Sequence, residues 1–288
     1  MEYSLYYLNK HANLKNLKVN EIIDKLNLIG FEVDDIFEEQ VITNHLLNDT
    51  RLLIEIPSNR QDLLNEKLFL QELSTIFSLE TYDLWRNLRT NYDPLINKYS
   101  LKYTEQAITN INSSLNDILI YKFKLENCFI KSTPLWIQQK LQNRGLEVTN
   151  NINDFLNLIV LEYGSTITTE IVNNDNHEIF VNRLEKVEQF ENISLPPGTI
   201  ILRDNQDNIL SVLGYINFDS EKNSKDGTVY LETIFYDIYE NPVKLKTINT
   251  KLSFKHLRST FIENFKSSLK RLLTLLELYN DVDENKLL

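Results

Sequence analysis

The 288-residue chain contains one cysteine, one methionine, two alanines, four histidines and six glycines, and each scarcity excludes something. A lone Cys128 rules out an internal disulfide and suits a reducing compartment. It stands in an apolar, strand-like run and reads as a core side chain rather than a reactive thiol. His11, His45, His177 and His256 show no ligand-like spacing to one another, to Cys128 or to carboxylates, so no metal centre is expected. Neither G-x-G-x-x-G nor G-x-x-x-x-G-K-[ST] occurs, so ATP binding by this chain alone has no support and no cofactor is expected in it. Gly-x-Ser-x-Gly is missing too, which removes the nucleophile elbow. No uninterrupted apolar run reaches roughly 18 residues, so no membrane span is expected. Residues 1–16 lack the apolar core of a secretory signal.

Basic charge is also short. Thirty Lys and Arg face 41 Asp and Glu, a formal net charge of −11. Phosphate neutralisation supplies most of the affinity of a sequence-independent nucleic-acid binder, so this chain does not coat RNA broadly. Any RNA contact is local or depends on a partner.

What is abundant is asparagine, at 35 residues, together with Lys, Ile, Leu and Tyr. High Asn, Ile and Lys with low Ala and Gly points to an AT-rich genome of the organellar or endosymbiont kind. Hydrophobic residues make up 42%, enough for one large or two ordinary domains with proper cores.

Periodicity places the elements. Residues 20–29 read as a helix capped by Asn20, with Ile22, Ile23, Leu26 and Ile29 as its stripe and Gly30 as its stop. Strands are expected over 31–36 and 51–56, then a turn and a helix from Asp62 to about Phe77. This gives a small α/β unit over residues 1–80. Residues 81–115 are polar and read as a connector. Beyond it come a strand over 118–125, a helix opening at Pro134 and ending near Asn143, and a helix over 154–163 stopped by Gly164. Strand-like runs follow at 167–172, 178–184, 199–203, 209–216 and 228–236, then an amphipathic helix over 261–279. The fold class is therefore α+β: a small N-terminal α/β unit and a larger mixed α+β domain over 116–280, with a tail over 281–288. No internal repeat is present.

Seven collinear segments carry a family resemblance. LNLIGFEVDDI (26–36) and IEIPSNRQDLL (54–64) resemble two segments near the start of bacterial-type phenylalanyl-tRNA synthetase beta chains. The second matches a Pro-Asn-Arg-x-Asp-Leu run through Asn59, Arg60, Asp62 and Leu63. STPLWIQQKLQNRG (132–145) and NNINDFLNLIVLEYG (150–164) resemble the Ser-Pro-Leu-Trp-Leu and Asn-Asn-x-x-Asp-x-x-Asn helices of that family. Residues 210–215, VYLETIFYD (229–237) and 250–258 follow in the family's order.

The resemblance implies a beta subunit of phenylalanine–tRNA ligase, shortened, of a plastid or other organelle matrix, or else of bacterial-type cytoplasm. It implies an alpha chain as partner in a heterotetramer, ATP and Mg2+ acting through that alpha chain, and tRNA as substrate. It also implies an editing-type pocket. Tyrosine differs from phenylalanine by one hydroxyl, which an apolar pocket rejects by only about two orders of magnitude, so a second site that reads the hydroxyl is useful. The residues aligned with that pocket are Asn157, Thr168, Gly214 and Glu232, with Glu232 as the hydroxyl reader. Thr168 stands where the family has His, and Tyr215, Ile216, Asn217 and Phe218 replace most of the glycine-rich turn after Gly214. An eroded editing site is therefore expected.

The oligonucleotide-binding module that the family inserts early is missing, since only about 14 residues separate Ile36 from Arg51. The later modules that pair with the alpha chain have no counterpart in the 288 residues. Local RNA contact is expected from the basic cluster Lys251, Lys255, Arg258, Lys266, Lys270 and Arg271. Two further readings stay open: a non-enzymatic structural or RNA-associated protein derived from the subunit, and a free-standing hydrolase of mischarged tRNA.

Overall fold

Apolar side chains gather into two large separate buried clusters, one from residues 3–73 and one from residues 125–279. A computed structural model of the chain describes residues 2–41, 47–57, 60, 63, 65–80, 102–107, 118–126, 128–164, 168–170, 180–190, 193–203, 206–212, 229–236 and 262–280. The first cluster sits between a three-stranded antiparallel sheet and its helices. The sheet joins β1 (Glu2–Ser4), β2 (Val33–Val41) and β3 (Leu47–Ile54) in the order β1-β3-β2. The helices are α1 (Leu5–Asn9), α2 (Val19–Leu28) and α3 (Glu66–Phe77).

Local chemistry sets these boundaries. Gly30 takes φ +92 after α2, a conformation that costs glycine no steric strain, and the Phe31 amide returns to the Leu26 carbonyl. The α2 helix begins at Val19, after Lys18 rather than at an Asn20 cap, with no side-chain cap bond. The α3 cap is Asn65, whose side chain accepts from the Leu68 amide at 2.8 Å. Asp62, expected to be that cap, lies outside the described residues. Tyr3 of β1 stacks on Phe69 of α3 with ring centroids 3.8 Å apart, and both are fully buried. Each such aromatic contributes about 1.5–3 kcal/mol by leaving water. The strands β2 and β3 pair directly from Val33 opposite Ile54 to Val41 opposite Leu47.

The second cluster forms around helices. They are α4 (Leu135–Gln142), α5 (Ile152–Tyr163) and α6 (Ile262–Tyr279). A four-stranded antiparallel sheet runs β4-β5-β12-β6, from β4 (Lys102–Ala107), β5 (Ile118–Glu126), β12 (Val229–Tyr236) and β6 (Thr168–Glu170). The strand β4 falls within the stretch expected to be a connector, and its residues alternate polar and apolar too weakly to announce it. Smaller sheets join β7 (Phe180–Arg183), β10 (Ile200–Arg203) and β11 (Ile209–Val212) in the order β11-β10-β7, and β8 (Glu188–Phe190) with β9 (Ile193–Leu195). The architecture is mixed α+β. No described helix is long and apolar enough to cross a membrane.

Every residue of α5 is buried, so it is wrapped on all sides, against α3, α4 and α6. Asn151 caps its start by accepting from the Asn153 amide, and Gly164 at φ +69 ends it. Asp154, fully buried, accepts from the amides of Thr149 and Asn150 and from the hydroxyls of Thr133 and Thr149. These bonds tie α5 to the segment before α4. Cys128 is buried in this core, and burial pushes its thiol up to about 12.

Where the two clusters meet, the contact is ionic. Lys140 Nζ of α4 lies 2.8 Å from Glu66 Oε2 of α3 and 3.3 Å from Glu162 Oε1 of α5. Arg144 Nη2 reaches Glu66 Oε1 at 2.7 Å, and its Nη1 donates to the Glu2 carbonyl at 2.6 Å. Arg271 Nε of α6 reaches Glu162 Oε2 at 3.2 Å. Asn143 Nδ2 donates to the Tyr7 hydroxyl at 3.0 Å. All these charged side chains except Glu2 are more than nine-tenths buried. Burial alone would raise the Glu66 carboxyl, but the Lys140 ammonium and the Arg144 guanidinium outweigh it and hold it at about 2. Glu162 is lowered in the same way, by Arg271 and Lys140 against burial. Lys140 is raised, because its two carboxylates outweigh its own burial.

Two predictions follow from this contact. Lys140→Met leaves Glu66 and Glu162 buried with one counter-ion fewer between them, and should cost about 3–5 kcal/mol. The urea midpoint measures it, and a loss below about 1 kcal/mol would mean that the charges do not hold the contact. The second concerns acid. Burial first and Lys140 second lower His11 from 6.5 to about 4, so it stays neutral in the fold while the unfolded chain takes up a proton. Stability should therefore fall as pH drops from 6.5 towards 4, and Glu66 should add its own loss below its ordinary 4.5. Urea midpoints at about pH 7.5, 5.5 and 3.5 test this, with His11→Gln expected to remove the upper step and keep the lower.

Candidate functional site

The four-stranded sheet brings together two of the residues that the resemblance assigned to a pocket. Glu232 of β12 stands directly opposite Thr168 of β6, and on its other side opposite Lys122 of β5. Residues opposite one another in an antiparallel pair have Cβ atoms about 4.5–5.5 Å apart. The register therefore places residue 232 between residues 168 and 122 on one line across the sheet. Lys122 is one of two lysines that alternate with apolar residues along β5, and only the register of strands distant in sequence reveals its neighbour. Gly214 and residues 215–218 lie outside the described residues.

Asn157 is held on α5, the helix covered on every side. It is 3% exposed, and its Oδ1 has no hydrogen-bond partner among the described residues. A buried amide oxygen without a donor costs about 1–3 kcal/mol, and such groups mark places where something other than packing has kept the residue. The helix that carries Asn157 also carries Glu162, so the junction of the two cores and this residue share one rigid element.

The basic cluster divides. Lys251, Lys255 and Arg258 lie outside the described residues. Lys266 and Lys270 lie on α6, and the Lys270 side chain is exposed. Arg271 is different: its side chain is 7% exposed and is taken up by Glu162. The alternation along α6 that puts Leu272, Leu275 and Leu276 in the core also turns Arg271 inward, so it belongs to the buried ion cluster and not to a solvent-facing basic surface. Among the described residues no group of three or more His, Cys, Asp or Glu is placed to hold a metal ion.

Comparison with known proteins agrees with this layout. The B3/4 domain family matches residues 120–281, which takes in β12, β6, α5 and α6. A phenylalanine–tRNA ligase beta subunit, chloroplastic, of Phaeodactylum tricornutum is 30% identical over 172 residues, 57% of this chain and 22% of that protein. The chloroplastic beta subunit of Pyropia yezoensis is 25% identical over 283 residues, 93% of this chain and 37% of that protein. The beta subunit of Lactobacillus johnsonii is 25% identical over 258 residues, 79% of this chain and 30% of that protein. The chain thus spans well under half the length of these relatives. The relatives that it matches are beta subunits of phenylalanine–tRNA ligase of the plastid and bacterial kinds, and the chain itself belongs to the B3/4 domain family.

Proposed function

We propose that this chain serves as the editing-domain portion of a phenylalanine–tRNA ligase beta subunit, in a plastid, beside an alpha chain that charges tRNA with phenylalanine. The observation that carries this reading is the collinear match of 93% of the chain to a chloroplastic beta subunit, with Glu232 and Thr168 brought into register inside the matched domain. ATP and Mg2+ enter through the alpha chain in this reading. The unit over residues 1–80 acts as scaffold and residues 116–280 as the editing-type domain, to whose sheet β4 of the intervening stretch 81–115 adds a strand.

The editing site in this reading recognises more than it hydrolyses. Glu232 supplies an acceptor for a tyrosine hydroxyl. Thr168 supplies neither charge nor imidazole to position the ester or a water. Tyr215, Ile216, Asn217 and Phe218 carry side chains where glycines would let substrate approach the backbone. Losing positioned polar groups lowers rate by about 10²–10⁴. The same losses favour one alternative: a non-enzymatic structural or RNA-associated protein derived from the subunit. Recovery of a stable partner other than an alpha chain would favour that alternative.

Deacylation of phenylalanine-specific tRNA mischarged with tyrosine is expected at background level, for this chain and for Glu232→Ala alike. Robust hydrolysis that disappears in Glu232→Ala would overturn the eroded-site reading. For RNA, the basic residues left as candidates are Lys251, Lys255, Arg258, Lys266 and Lys270. If four of them neutralise phosphates, tRNA affinity should drop about a hundredfold between about 50 and 200 mM salt. Binding that ignores salt would contradict an electrostatic contact.

A further inference from the structure

Among the described residues seven large apolar side chains are exposed, Leu28, Ile29, Ile36, Phe37, Leu47, Leu135 and Val187; the first five belong to the N-terminal unit, with Ile36, Phe37 and Leu47 on the β2–β3 ribbon and Leu28 and Ile29 at the end of α2. Scattered apolar residues need no explanation, but a concentration within one small unit does. On β2, residues 34–40 are exposed without interruption, so neither face of this stretch is covered.

The backbone there is open as well. The sheet order is β1-β3-β2, and among the described residues no strand pairs with the outer side of β2. Ile36 donates its amide to Asp35 Oδ1 at 2.8 Å rather than to β3. In an antiparallel ladder successive residues alternate between facing and leaving the partner strand, so Glu38 and Gln40 also turn amide and carbonyl outward. Natural edges are blunted by bulges and by charged residues. This one has a register shift between Val33 and Asp35, and Asp35 occupies the Ile36 amide. That protection ends at Ile36, and Glu38 to Val41 remain open.

We infer that the outer edge of β2 is an interaction surface that takes an extended, basic segment of a partner protein as an added strand. Charge selects this occupant. Asp34, Asp35, Glu38 and Glu39 stand on β2 with no Lys or Arg between Val33 and Val41. The nearby cation, Arg51 of β3, is engaged with Glu39 at 2.9 Å and with Glu2 at 2.9 Å. A second copy of this chain would set the same carboxylates against these, and a nucleic acid would bring phosphates to them. Strand alternation sets Ile36, Glu38 and Gln40 on one face and Phe37 and Glu39 on the other, so a segment alternating Lys or Arg with apolar residues places its cations on the face of Glu38 and its apolar side chains on the face of Phe37. Its backbone bonds to Glu38 and Gln40 supply affinity, and the side chains supply choice of partner.

The test uses the full chain and a fluorescent peptide of about ten residues alternating Lys and Val. Anisotropy titration should show saturable binding. Affinity should fall at least about tenfold when alternate peptide amides are N-methylated, and likewise for a Glu–Val peptide. Gln40→Pro removes an outward amide and leaves the β2–β3 ladder its bonds, so it should weaken binding while circular dichroism stays unchanged. Glu38→Lys should weaken binding through charge. Absence of saturable binding would overturn the inference. Binding that depends on Glu38 yet ignores both N-methylation and Gln40→Pro would mean charge attraction alone, and would overturn it too. Self-association in sedimentation that Gln40→Pro abolishes would assign the edge to a second copy instead.

Discussion

Lys140 is the point on which the arrangement of this chain turns. It is 4% exposed and lies between Glu66 of the first core and Glu162 of the second. Bringing an ammonium and two carboxylates out of water costs several kcal/mol per ion, and close contact in good geometry must offset that. Such a contact adds little net stability compared with well-packed apolar residues. It differs in what it forbids. Two apolar surfaces tolerate sliding by an ångström or two, whereas a buried carboxylate that loses its cation does not. Arg144 and Arg271 extend the same logic, so α3, α4, α5 and α6 are fixed relative to one another by complementary charge.

That geometry governs the candidate pocket. Asn157 sits on α5, five residues before Glu162, on a helix with no exposed residue. Its position is set by the core around it and by the ion cluster at the helix end. Asp154 does the same at the other end by collecting donors from Thr133, Thr149 and Asn150. A residue carried on so constrained a helix keeps its place because packing along the helix and bonded groups at both its ends hold it.

Much of the fold was legible from local pattern because local pattern is what makes helices. The stripe of α2 with Gly30 after it, and the apolar run of α5 with Gly164 after it, carry their own stop signals. The first residues were harder. Glu2–Ser4 and Leu5–Asn9 are short, and their order depends on Ser4 and Asp49, 45 residues apart. Nor does a charge on a helix announce its partner. Arg271 read as part of a basic surface because Lys266 and Lys270 precede it, and its true counter-ion lies 109 residues earlier. The pairing of Thr168 with Glu232 is likewise a matter of strand register between distant segments. Resemblance could nominate both residues, but periodicity could not join them.

The wrapping of α5 has a consequence for the order in which the protein is made. The first core closes with residues between Tyr3 and Leu73, all present early in synthesis. The second needs Leu272, Leu275, Leu276 and Tyr279, and the Phe129 amide donates to Asn280. Until those residues leave the ribosome, α5 has no α6 to cover it, and twelve buried positions stand without one wall of their core. At about 5–20 residues per second, the more than one hundred residues between α5 and the end of α6 take several seconds to arrive. The nascent chain therefore passes through an interval in which its most apolar helix is formed but unclad, and it is in that interval that a chaperone has something to hold.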